Sequence, residues 1–370
     1  MKKFFKNIYS KLKKKFFDLL YSELKIADQS FIERNLAYKE IKLEKNAKKK
    51  YIIYLLKNSR IYSDLSQNVA YIKKNFLLPK ISIQLENNHL VDVHKNSVLK
   101  TGTKKFIQKK LDGNVLSLVQ GISAINNYGH WMMDILPKLC IVEKFKSLNK
   151  FDYIYLPNIK KEFQKNSLKY FQIDNKKFID GSNYSHIKVE NLFIPQHPYW
   201  ELNKYQMETV ANVDKDIINL LREKFSSINN FQLEKKKFKI FIDRSDSPFL
   251  HSQIENYNEL IILLKKLDFK ILKLTKLSFE DQISYFKNAN FIIGAHGAGL
   301  TNTIYCNAKT NLIEFSNKEF ICEMFKNISK INKMNYIKIK SAYNIPKDRS
   351  KPDIFVNLDN LEKIIRELNK

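Results

Sequence analysis

The strongest constraint on this chain is the regular alternation of short apolar strands and amphipathic helical stretches in its second half. Strand-like KIFID, FKILKL, NFIIG, NLIEF and YIKIK are separated by helix-like NELIILLKKL, FEDQISYFKNA, a segment opening at GAGLTN, and EFICEMFKNISKI. Repeated βα units with apolar strands predict a parallel sheet covered on both faces, with ligands gathering at the carboxyl ends of its strands. With 370 residues the chain has room for two domains, and the lysine-rich Glu234–Lys239 stretch marks the expected junction. The expected organisation is a basic segment over 1–50, an α/β domain over 51–230, a Rossmann-like domain over 231–345 and a C-terminal helix over 346–370.

The first half is less regular. Residues from 51 read as a helix, followed by a hairpin of ISIQL and LVDVH around Asn87-Asn88. YIYLPN and VENLFIP read as strands flanking a helix from Lys160 to Phe171, and the turn-rich PQHPYW leads to a helix from about Met207 to Phe225. Asp214-Lys215-Asp216 has the form of a metal-holding DxD, but it directly precedes DIINLLREKF and reads as a helix N-terminus.

Charge narrows the partners without naming them. Lys and Arg total 65 against 38 Asp and Glu, a net +27, which favours anionic ligands. No basic recognition helix, zinc finger or aromatic RNP-type strand accompanies that charge, so nucleic acid is not the expected partner. The first 24 residues place Phe5, Ile8, Tyr9, Leu12, Phe16, Leu19 and Leu20 at helical spacing among lysines. This predicts a basic amphipathic helix suited to lying on an anionic membrane surface, and its apolar runs are too short to cross one. The first 50 residues hold 15 basic and 6 acidic side chains. Three cysteines without a CxxC pair indicate neither a disulfide framework nor a zinc ribbon, and fit a reducing, cytoplasmic setting.

Three segments can carry chemistry. In NFIIGAHGAGLTNTIYC an apolar strand ends at Gly294, and Gly297 and Gly299 allow a tight turn into a helix whose N-terminus suits a phosphate. His296 lies in that turn, with Leu300, Thr301 and Asn302 on the first helical turn. The spacing is neither GxGxxG nor a P-loop. Glu314, at the end of the next strand, suits ribose hydroxyls. In NNYGHWMMDILPKL, His130 and Asp134 at i, i+4 share a helix face and form a candidate acid–base pair, while Trp131 is expected to pack and Pro137 to end the helix. In IFIDRSDSP, the planar fork of Arg244 at a strand end suits a diphosphate. Salt bridges to Asp243 or Asp246 are its alternative.

Together, in order, NNYGHWMMDILPKL, DRSDSP, FEDQISYFKNANFIIGAHGAGLTN and IEF resemble glycosyltransferase family 61, which includes bacterial capsular polysaccharide biosynthesis proteins and eukaryotic transferases acting on glycoproteins and xylan. The resemblance covers residues 120 to 320. It implies a GT-B architecture of two Rossmann-like domains facing a central cleft, an inverting mechanism and a nucleotide-sugar donor held mainly by the C-terminal domain. On that reading Asp134 or His130 is the base, and Arg244, Gly294, His296, Gly297, Gly299, Leu300, Thr301, Asn302 and Glu314 bind donor. No cofactor or metal is expected. The acceptor would be a glycan or lipid-linked hydroxyl in capsule or lipopolysaccharide assembly, with the protein cytoplasmic or peripheral on the inner face of the cytoplasmic membrane. The alternative is a non-catalytic sugar-nucleotide or polysaccharide-binding subunit. Departures from the family pattern are the lack of a second Arg between Ser245 and Ile254, where His251 is the nearest basic group, Asn256-Tyr257 for the usual Asn-Glu, and Lys138 for an Arg after the helix proline.

Overall fold

The computed structural model describes residues 2–43, 49–64, 68–86, 89–103, 107–119, 126–198, 213–230, 237–247, 252–319, 322–341 and 352–369. It divides into two compact units, Met1–Val210 and Ala211–Lys370. His251, the basic group nearest the missing second Arg, and the first part of the helix expected from Met207 lie outside the described residues.

The second unit is the sheet that the alternation predicts. Strands β12 (Phe238–Ile242), β13 (Lys270–Leu272), β14 (Ala289–Ala295), β15 (Asn311–Ser316) and β16 (Asn335–Lys340) lie in the order β13-β12-β14-β15-β16, every pairing parallel. Phe241, Phe291, Ile293, Ile313 and Phe315 form one core with Leu260 and Leu264 of the Tyr257–Lys266 helix. Leu361 and Ile365 of the Leu358–Leu368 helix close the same core. Their i, i+4 spacing is what directs an amphipathic helix onto a sheet. Asp214 caps the Lys215–Lys224 helix, its carboxylate accepting the Asp216 N–H at 3.0 Å. The helix-terminus reading of that triplet holds.

The first unit departs from a Rossmann-like sheet. Its strands are β1 (Lys25–Ile26), β2 (Ala37–Ile41), β3 (Tyr51–Ser63), β4 (Asn68–Lys73), β5 (Phe76–Leu77), β6 (Ile83–Glu86), β7 (His89–Leu90), β8 (Lys109–Ser117), β9 (Tyr153–Leu156), β10 (Phe178–Asp180) and β11 (His186–Pro195). They form a mixed sheet in the order β1-β5-β4-β3-β11-β8-β9-β10. The β11-β8-β9-β10 half is parallel, as is the short β1-β5 pair, while β3 runs antiparallel to β11, β2 and β4. The helix expected from residue 51 is therefore a 13-residue strand. Its apolar run YIIYLL is buried by neighbours on both edges, a setting in which periodicity does not separate strand from helix and the β-branched and aromatic content decides. The hairpin forms as expected, with Leu85 opposite Leu90.

A helix spans Lys2–Tyr21. Phe17 from it is fully buried with Leu24, Tyr62, Ile72, Leu77 and Val98. Gly102 makes room for it: with φ +64 it occupies the left-handed region, and a Cβ there would lie 2.4 Å from Phe17 Cγ. No described helix is long and apolar enough to cross a membrane.

Candidate active site

In the first unit the helical segment over residues 128–145 carries the histidine and aspartate. Asn127 opens it, accepting the His130 N–H at 3.1 Å. The first turn then widens into a π turn over Trp131–Ile135, closed by the Leu136 N–H on the Trp131 carbonyl. The α-helix Leu136–Phe145 follows. Pro137 does not end the helix as expected. It sits in the first turn of that α-helix, where a missing N–H is tolerated. Trp131 packs as expected, fully buried, with its indole N–H on Ser167 Oγ at 2.8 Å.

The π turn buries Asp134, which is 4% exposed, and leaves the His130 side chain 30% exposed. His130 Nδ1 lies 2.8 Å from Asp134 Oδ2. A third group, absent from the sequence reading, completes the set: His197 Nε2 lies 3.3 Å from Asp134 Oδ1, with its side chain 1% exposed. His197 follows β11, at the same kind of strand end that singled out Arg244, so strand-end placement is the signal that would have found it. Burial alone would raise the Asp134 carboxyl, but the His130 and His197 imidazoles hold it well below the usual carboxylate range. An ionised carboxylate only accepts, so both imidazoles donate to it and His130 keeps Nε2 as its basic nitrogen. Burial opposes the charged form of His130, yet the charge and hydrogen bond of Asp134 outweigh it and raise its pKa. Burial lowers His197 to about 4 despite the same carboxylate. Lys138, one turn further and 1% exposed, is lowered by burial to about 7, with Asp134 opposing. Its ammonium reaches the Leu118 carbonyl at 3.3 Å.

In the second unit the carboxyl ends of β12, β14 and β15 carry the remaining candidates. Asp243 shapes the turn after β12, accepting the Ser245 N–H at 2.8 Å and the Tyr257 hydroxyl at 2.9 Å. Arg244 pairs with neither Asp243 nor Asp246. Its Nη1 donates to the His296 carbonyl at 2.5 Å, and its buried Nε has no hydrogen-bond partner among the described residues. Burial lowers the Arg244 pKa, with Asp353 opposing. A Cβ on Gly297 would fall 1.4 Å from Arg244 Nη1, so the guanidinium occupies the space a side chain would take. Gly294 lies opposite Glu314 in the sheet and against Ile242, and Gly299 against Leu274.

His296 and Glu314 are joined, Nδ1 to Oε1 at 2.6 Å. The other oxygen, Oε2, accepts the Tyr336 hydroxyl at 2.7 Å. Glu314 is fully buried, and each of its oxygens already accepts a bond from within the chain. This geometry orients the His296 imidazole and engages Glu314, the candidate for ribose hydroxyls, in bonds within the chain. Residues 298–305 form a 3₁₀ helix that buries the side chains of Leu300, Thr301 and Asn302. Asn302 Nδ2 donates inward to Gln282 at 3.2 Å. The glycine-rich turn thus presents backbone, His296 and Arg244. Among the described residues no group of three or more His, Cys, Asp or Glu converges to hold a metal ion. His130 and His197 address opposite oxygens of one carboxylate instead.

Comparison with known proteins agrees with these segments. Over 95 residues, 26% of this chain, it is 30% identical to a β-1,2-xylosyltransferase of Arabidopsis thaliana, of which the match spans only 17%. Two crystal structures of TibC are similar in outline at 10% identity. One is a bacterial iron-containing dodecameric glycosyltransferase from enterotoxigenic E. coli, covering 94% of this chain and 98% of its own, with a TM-score of 0.35. The other, a heptosyltransferase in complex with ADP-D-β-D-heptose, covers 90% and 95% with a TM-score of 0.36. At such scores these likenesses carry no argument. The family model does: glycosyltransferase 61 matches residues 128–313, half of the chain, taking in His130, Asp134, His197, Arg244 and His296. The chain therefore belongs to the glycosyltransferase 61 family.

Proposed function

We propose that this protein is an inverting glycosyltransferase that moves a sugar from a nucleotide-sugar donor to a hydroxyl of a surface-glycan acceptor, of the capsule or lipopolysaccharide type, without a metal ion. The observation that carries the reading is the hydrogen-bonded set His130–Asp134–His197, in which the Nδ1–H of one imidazole donates to the buried carboxylate and its Nε2 stays basic. His130 Nε2 takes the acceptor proton as the acceptor oxygen bonds to the anomeric carbon. The bond from that carbon to the diphosphate breaks on the opposite side, and the configuration inverts. Asp134 stabilises the imidazolium that forms, and His197 holds Asp134. Asp134 held far below the usual carboxylate range is a weak proton acceptor, which supports taking His130 as the base of the two.

The departing diphosphate gathers negative charge, and Arg244 supplies a fixed counter-charge with donors to spare. His296, oriented by Glu314, donates beside it. A cytoplasmic setting, or one on the inner face of the cytoplasmic membrane, belongs to the same reading, and the free thiols of Cys140, Cys306 and Cys322 fit it.

The test is incubation of the purified full-length chain with a panel of nucleotide-sugars, scored by thermal shift for binding and by released nucleoside diphosphate for turnover. Release of diphosphate that depends on His130 supports the reading. Stabilisation by a nucleotide-sugar without any product would make the protein a binding subunit instead.

A further inference from the structure

The Lys2–Tyr21 helix carries a surface that the proposed chemistry does not use. At about 100° per residue, Ile8, Tyr9, Leu12, Phe16, Leu19 and Leu20 fall within one arc of about 120°. All six are exposed, Leu19 at 82% and Leu12 at 61%. Phe17 and Tyr21 point the other way. Phe17 is sunk into the core beside Gly102, and Tyr21 lies under the Arg60 guanidinium, 5.0 Å from its ring centroid, and edge-on to His186. The helix is thus fixed to the first unit by one face, and the fixing turns the apolar stripe outward. A contiguous stripe of large apolar side chains on a soluble surface marks a binding face.

The charges choose the partner. Lys11 and Lys15 border one edge of the stripe, and Lys13 borders the other. The one acidic residue of the helix, Asp18, is paired with Lys14 at 2.5 Å, away from the stripe. A second copy of the same helix would set lysine edges against lysine edges, whereas a coiled-coil seam needs opposite charges at its margins. Anionic head groups answer both edges at once, and acyl chains receive the leucines.

We propose that this face docks the protein on an anionic bilayer, with the helix lying in the head-group plane. The experiment is sedimentation of the full-length chain with vesicles of phosphatidylcholine alone or with about a third phosphatidylglycerol. The comparison variant is Leu12→Ser with Leu19→Ser, which keeps every lysine and touches no buried residue. The parent should bind the anionic vesicles, lose that binding as salt rises, and bind about tenfold or more tightly than the double variant. Equal binding by parent and variant would assign the effect to overall charge and overturn the proposal, as would absence of binding to anionic vesicles. Light scattering supplies a second arm: a dimer that the double variant dissociates would make the occupant a second copy and overturn it as well.

Discussion

Replacing Asp134 by Asn tests the whole arrangement with a change of one atom. The carboxylate accepts from two imidazoles, one on each oxygen. An amide has a single acceptor oxygen, so one imidazole must lose its bond or change tautomer. If His130 changes, its Nε2 carries a proton and cannot take one. If His197 loses its bond, a buried N–H is left without an acceptor, at about 1–3 kcal/mol. Loss of an oriented base lowers rate by about 10²–10⁴. We expect kcat/KM for sugar transfer to fall about 10³-fold, equivalent to ~4 kcal/mol in the barrier. His130→Ala should do the same, and the double variant should be little worse, because the two act as one unit. The pH dependence supplies a second readout. Activity requires neutral His130, so it falls as pH drops through a pKa that Asp134 holds above the ordinary histidine value. Without the carboxylate, burial acts on His130 unopposed and the acidic limb of the residual activity should move to lower pH. The assay is initial rate of diphosphate release across pH, with thermal unfolding of each variant as the folding control. Transfer within a few-fold of the parent in both single variants, or an acidic limb that stays in place, would refute the assignment.

Four further outcomes are expected. Gly297→Ala should weaken nucleoside diphosphate binding about tenfold or more by calorimetry, because the new methyl displaces the Arg244 guanidinium. Lys138, lowered by burial to about 7, binds a proton more readily unfolded than folded. Stability of the parent should therefore rise from about pH 7 towards pH 10 relative to Lys138→Met, read as a Tm difference growing by at least about 3 °C. Asp214→Ala should cost about 1 kcal/mol of stability through the lost helix cap, and EDTA should leave transfer by the parent within about twofold, since the proposed steps route no charge through a metal.

The second unit was legible because its strands are short, apolar and separated by helices with clear faces, so period and length agree. Residue 51 onward was misread for the opposite reason: a strand buried along both edges and both faces loses the alternation that identifies strands. The His130–Asp134 pair could be read from spacing, since i, i+4 survives the π turn between them. His197 could not, because its link to Asp134 spans 63 positions and depends on where β11 ends. Thr301, Asn302 and Glu314 sit in a motif that the sequence marks, yet polarity alone does not say which way a side chain points. Glu314 and Asn302 turn to bonds within the chain, and the Thr301 side chain is buried.

The place of β11 in the first sheet bears on how the protein is made. It is the seam at which the parallel and antiparallel halves join, and its partner β3 lies well over a hundred residues upstream. At ribosomal speed the YIIYLL edge waits on the order of ten seconds for the strand that covers it. During that interval the nascent chain displays an unpaired apolar ribbon, the kind of edge that sticks to other chains until its partner strand arrives.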